Sequence, residues 1–106
     1  MSFRYMRTLL FFDLPTITNK HLKDYRRFVK EIKKMGFYMF QESVYVKMSI
    51  NQKAAENTKN KVQSIIPSEG NIILLTVTEK QFNSMDILIG DISTDIVTSS
   101  DRVVVL

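Results

Sequence analysis

The run Met6–Pro15, Met-Arg-Thr-Leu-Leu-Phe-Phe-Asp-Leu-Pro, constrains this chain more than any other stretch. A short apolar run closed by a turn signal reads as a buried strand. Proline has no N–H to give to a strand ladder, so pairing stops at Pro15. Alternation sends Met6, Thr8, Leu10 and Phe12 to one side and Arg7, Leu9, Phe11 and Asp13 to the other. Both sides are substantially apolar, so both need cover. Asp13 ends the strand at the edge of the apolar block, where an unpaired carboxylate carries a desolvation cost. Two readings stand at this point. Asp13 is a turn or cap aspartate accepting N–H groups from the segment that follows, or it is a metal ligand or acid–base group.

Composition narrows the chemistry. A chain of 106 residues is read as one domain, 1–106, large enough to bury a core without staples. It has no cysteine, so disulfides and thiolate metal sites are excluded, and the single histidine, His21, leaves too few ligands for a zinc site. No apolar run reaches membrane-spanning length, and the N-terminal run is strand-length and carries Asp13, unlike a signal peptide. A cytoplasmic location is expected, with no membrane partner. The net charge of +4 is unevenly spread. Residues 1–48 hold ten basic and four acidic residues, whereas 49–106 hold five basic and seven acidic. The asymmetry points to a polyanion-facing side.

Residues 16–36 read as a helix with Thr18 as N-cap and Gly36 as the left-handed stop. Leu22, Tyr25, Phe28, Val29, Ile32 and Met35 fall on one arc, the core face. Lys20, Lys23, Arg27, Lys30 and Lys34 share the opposite arc, with Arg26 and Lys33 beside them and Asp24 and Glu31 at one border. A surface made only for solubility would be served equally by mixed charges, so the single sign favours contact with a phosphate backbone. Residues 37–48 are strand-like, with Gln41-Glu42-Ser43 marking a hairpin or sharp bend. Asn51 caps a second helix over 52–66 whose stripe is Ala54, Ala55, Thr58, Val62, Ile65 and Ile66, and Pro67 ends it. Ser68–Asn71 is a turn, Ile72–Thr78 a strand apolar on both faces, and Gln81–Met85 a short amphipathic segment. Residues 86–100 read as a loop and Val103–Leu106 as a final strand.

The order strand, helix, strand, strand, helix, strand predicts an α+β fold: a ferredoxin-like βαββαβ domain with an added C-terminal strand. Its four-stranded antiparallel sheet carries two helices on one face. The other greasy face then needs a cover the chain does not supply, and a second copy is the simplest one. A homodimer is expected, with the segment from about 80 to 106 contributing to dimer or partner docking and the last strand adding to a sheet edge of the other subunit.

Magnesium takes oxygen ligands, commonly one or two carboxylates with water and substrate phosphates. In a two-fold dimer joined through its sheets, two Asp13 side chains would converge on one shared site flanked by basic helices. The late acids Asp86, Asp91, Asp95 and Asp101 have no ligand spacing, there is no glycine-rich phosphate loop, and a lone His21 builds no nucleophile triad. His21 and the aromatics Tyr25, Phe37, Tyr38, Phe40 and Tyr45 read as structural, and the aromatic motif of an RNA-recognition domain is missing.

Several stretches together carry a recognisable pattern: Leu9-Leu10-Phe11-Phe12-Asp13-Leu14-Pro15-Thr16, Tyr25-Arg26-Arg27-Phe28, Gly36-Phe37, Gln41-Glu42-Ser43-Val44-Tyr45, and Asn71-Ile72 with Leu75-Thr76-Val77-Thr78-Glu79-Lys80-Gln81-Phe82. Over nearly the whole chain this resembles the CRISPR-associated protein two family, the small adaptation subunit, in its type II-A form. The resemblance implies a ferredoxin-like homodimer that binds a duplex DNA prespacer and bridges dimers of the CRISPR integrase during spacer acquisition. It also implies, as the alternative, a magnesium-dependent endonuclease acting on RNA or double-stranded DNA, with Asp13 as the catalytic residue and the metal ligand shared between subunits. Many relatives carry Tyr where this chain has Phe12. The nucleic-acid contacts expected on this reading are Arg4, Arg7, Lys20, Lys23, Arg26, Arg27, Lys30 and Lys34.

Overall fold

A computed structural model describes residues 4–90. The stretches expected to end the loop, 91–100, and to form a final strand, Val103–Leu106, lie outside the described residues. Strand β1 (Met6–Asp13) is central, helix α1 spans Asn19–Lys34, strands β2 (Tyr38–Gln41) and β3 (Val44–Ser49) form a hairpin, helix α2 spans Gln52–Gln63, strand β4 covers Asn71–Thr78, and a short helix α3 follows over Glu79–Asn83. The sheet order is β2-β3-β1-β4, with every neighbouring pair antiparallel. This is the expected ferredoxin-like arrangement. Among the described residues no helix is long and apolar enough to cross a membrane.

Local chemistry sets the boundaries. Thr18 caps α1, its hydroxyl accepting from the His21 N–H at 3.0 Å. Gly36 leaves the helix at φ 104°, a left-handed conformation that glycine adopts without strain. The Lys47 ammonium, on the neighbouring hairpin, donates to the free Met35 carbonyl at 2.6 Å and places a cation at the negative end of α1. Asn51 caps α2 by accepting from the Ala54 N–H at 2.8 Å. That helix stops at Gln63, three residues earlier than its apolar stripe suggests, and Ile66 stands exposed.

Alternation along β1 divides the core in two. Leu10 and Phe12 face α1 and α2 and pack with Phe28, Ile32, Phe37, Tyr45 and Val62. Phe12 is the centre of that layer, with ring centroids 5.5 Å from Phe28, 5.6 Å from Tyr45 and 6.0 Å from Tyr25. On the other face Leu9 packs with Val46 and with Phe82 of α3. The expectation that the chain leaves this second face wholly bare is therefore corrected. The Thr78-Glu79-Lys80-Gln81-Phe82 run turns α3 back over part of it, held by a capping box between Thr78 and Gln81. The remaining part of that face stays open, with Ile73 62 % and Leu75 51 % exposed.

Candidate metal centre and nucleic-acid surface

Asp13 is exposed at the C-terminal end of β1, on the face that α1 and α2 do not cover. Its in-face neighbour along the strand is Phe11, whose partner on β4 is the exposed Ile73. Its own cross-strand partner is Asn71, the first residue of β4. On the hairpin side the Phe12 N–H donates to the Ser43 carbonyl at 3.1 Å, and Ser43 holds the turn at φ 64°. The cap of α1 belongs to Thr18, not to Asp13, so the reading of Asp13 as a cap loses its nearest helix. Among the described residues Asp13 enters no ion pair. A strand-end carboxylate presented on an open apolar face, beside a carboxamide, offers hard oxygen donors of the type magnesium takes. Among the described residues no group of three or more His, Cys, Asp or Glu side chains forms a metal cage. The described residues of one chain bring a single carboxylate, Asp13, to this position, with Asn71 as its cross-strand partner. Phe12, by contrast, points to the helix side, so the hydroxyl that a Tyr would bring there is lost from the core layer and not from the face that carries Asp13.

The basic arc of α1 lies where its periodicity put it. Lys20, Lys23, Arg26, Arg27, Lys30, Lys33 and Lys34 are all exposed. Two of them are partly neutralised. Lys20 donates to Asp24 at 2.9 Å, which raises the Lys20 pKa and lowers that of Asp24, and Lys34 sits 3.9 Å from Glu31. Among the described residues Lys23, Arg26, Arg27, Lys30 and Lys33 enter no ion pair, so one helix presents five unpaired cations to solvent. Arg4, ahead of β1, is also exposed.

Arg7 does not join them. It is 4 % exposed, and its guanidinium makes a two-pronged pair with Glu79 at 2.7 and 2.9 Å. It also donates to the Tyr38 hydroxyl and lies 4.6 Å from the centre of the Phe82 ring. Burial works against its charge, but the hydrogen bonds and charge of Glu79, with Tyr38, outweigh that and raise its pKa. The expected contact between Arg7 and a phosphate is thus corrected. A buried guanidinium already satisfied by a carboxylate is not available to DNA, and its task is to fasten α3 to the sheet.

Three further arrangements were not legible in the sequence. Arg7, Tyr38, Glu79 and Phe82 come from three elements, β1, β2 and α3, and meet only once α3 has folded back onto the sheet. His21 bonds through Nε2 to Glu69, tying α1 to the turn before β4. Asn71 faces Asp13 across the ladder. The one available signal was the Thr-x-x-Gln spacing of residues 78–81, a capping box that announces a helix start at Glu79.

Comparison with known proteins agrees with this geometry. The family model described as "CRISPR associated protein Cas2" matches residues 6–85. A Ligilactobacillus salivarius protein named CRISPR-associated endoribonuclease Cas2 is 41 % identical over 101 residues, covering 95 % of this chain and 100 % of the relative. A protein of the same name from Treponema denticola is also 41 % identical, with the same coverage. One from Streptococcus mutans is 45 % identical over 95 % of this chain and 93 % of its own length. With a family model spanning its whole sheet and both principal helices, and relatives of this identity along nearly its full length, the chain belongs to the CRISPR-associated Cas2 family.

Proposed function

We propose that this chain acts as a homodimeric CRISPR adaptation subunit, holding a duplex DNA prespacer and bridging integrase dimers for spacer acquisition. The observation that carries the reading is the exposed face of α1, where Lys23, Arg26, Arg27, Lys30 and Lys33 stand without acidic partners among the described residues. Such a surface neutralises phosphates without reading bases, and suits a protein that positions DNA of arbitrary sequence. The dimer is supported by the open half of the sheet, where Ile73 and Leu75 stay exposed beside Phe11. Reversing Lys23, Arg27 and Lys30 to Glu together tests the reading. Duplex retention should fall at moderate salt, with the salt slope lower by roughly one for each phosphate no longer neutralised. Unchanged retention with an unchanged slope would reduce the arc to a solubilising surface.

A second reading is favoured by Asp13 and by the names of the relatives. Here the dimer is a magnesium-dependent endonuclease acting on RNA or duplex DNA, with one Asp13 from each subunit holding a shared ion. Such an ion supplies polarisation of a phosphodiester or of an attacking water. Cleavage should then require divalent metal and vanish in Asp13→Ala. The two readings separate when Asp13→Ala is tested for co-elution with the integrase and a duplex prespacer. A complete complex without nuclease activity assigns the bridging role to the scaffold alone.

A further inference from the structure

The turn that leads into β4 is built against the end of β1. Gly70 has φ +110°, and a Cβ added there would stand 2.9 Å from the Asp13 carbonyl oxygen, 2.7 Å from Leu14 Cδ2 and 3.2 Å from Leu14 Cα. Two of these three atoms are backbone and cannot swing away, so the close approach depends on glycine. The preceding residue, Glu69, is held by His21 Nε2. His21 Nδ1 accepts from the Thr18 N–H at 3.3 Å, which places the proton of the neutral ring on Nε2, facing Glu69. The first turn of α1, the 68–70 turn and the end of β1 are therefore fastened to one another. The next residue along, Asn71, is the direct Cα partner of Asp13, and both are exposed. Directly opposed residues of an antiparallel pair carry their Cβ atoms about 5 Å apart on one face, within reach of a carboxylate and a carboxamide around one ion.

We infer that Asn71 is a second oxygen donor of the Asp13 site, its side-chain carbonyl completing what each subunit offers to a divalent hard cation. The inference rests on the metal-dependent reading above. The donor set fits such an ion: a carboxylate and a carboxamide, with no sulfur and no imidazole at that position. The locked turn has a reason on this view, since a donor on a loose loop would have to be ordered each time the ion bound. Asn71 is also the one residue of β4 that combines an oxygen ligand with a place directly opposite Asp13.

The test uses Mn2+ as the probe, titrated into the purified full-length protein and followed by the loss of the free-ion paramagnetic resonance signal. Wild type, Asp13→Ala, Asn71→Ala and Asn71→Asp are compared, with melting curves as the control for folding. Wild type binds Mn2+ and Asp13→Ala abolishes the binding. Asn71→Ala weakens it by roughly tenfold, in the range expected when a supporting ligand is removed. Asn71→Asp, which keeps an oxygen in place and adds charge, binds at least as tightly as wild type. A merely structural Asn71 would not produce this order, because alanine and aspartate would both shift melting and leave affinity alone. If Asp13→Ala abolishes binding while both Asn71 variants bind as wild type does, this inference fails and the Asp13 site stands. If wild type binds no Mn2+ at millimolar concentration, or Asp13→Ala binds normally, the Asp13 site itself fails and takes Asn71 with it.

Discussion

The two faces of one sheet are made from the same strands and treated in opposite ways. On the helix face Leu10, Phe28 and Ile32 are at or below 1 % exposure, and aromatic rings meet edge to face around Phe12. On the other face α3 covers Leu9, Val46 and Arg7, and beyond it Ile73 and Leu75 meet solvent on the way to Asp13. The first face is closed and specifies the fold. The second is half closed by a device of the chain's own and otherwise open, and the carboxylate sits in the open half. In this molecule the strand-end carboxylate stands where burial stops.

The sharpest way to break the contrast is to delete one side chain from each face. Phe28→Ala should cost about 3–5 kcal/mol, since a ring 1 % exposed leaves a cavity among residues that close in only partly. Ile73→Ala, at a position 62 % exposed, should stay within about 0.5 kcal/mol for the isolated chain. Chemical denaturation at two protein concentrations checks both. A penalty for Ile73→Ala that grows with protein concentration identifies a second copy as the cover of that face. Equal penalties at the lowest concentration would mean that the two faces do not differ.

The clasp of α3 is the next test, because it is what makes the second face half closed. Arg7→Leu should destabilise by about 3 kcal/mol, toward the low end for a broken ion pair because Glu79 keeps partial access to water. Glu79→Gln should cost less, since Gln retains a hydrogen-bonding oxygen. The two substitutions should be non-additive by about 1 kcal/mol or more, the mark of a direct contact. Hydrogen exchange within 79–83 should quicken in Arg7→Leu while the protection of α1 is unchanged. Loss of protection throughout would show that the clasp belongs to the main core.

These contrasts explain which parts were readable in the residues. Helix α1 was legible because its period, its cap at Thr18 and its stop at Gly36 are all local, and so was the sheet topology, through the order of its elements. Arg7 misled because alternation gives a residue's face but not what lies upon it. The return of α3 onto that face depends on residue 7 meeting residues 79–82, which no window along the chain contains. Asp13 stood out because a carboxylate at the end of an apolar strand breaks the pattern. Asn71 looked like one more turn residue, and its place beside Asp13 follows only from the register of β1 with β4.

The smallest effect probes the clasp through pH. Burial holds the Tyr38 hydroxyl above the ordinary tyrosine value of 10.0, and the pull of Arg7 in the other direction does not cancel it. A group whose pKa is raised on folding contributes stability that is fully present below its unfolded value. That contribution is lost as pH rises through its folded value. Wild type should therefore lose stability progressively above about pH 10, where the unfolded chain gives up this proton first. Tyr38→Phe has no proton to lose there, so its stability should decline less over the same interval, although it starts lower for want of the bond from Arg7. Denaturation midpoints at neutral pH and at two alkaline values provide the comparison. Parallel decline of the two proteins would place the alkaline sensitivity in other groups, and would show that Tyr38 is not held by the closed half of the face as firmly as its contact with Arg7 implies.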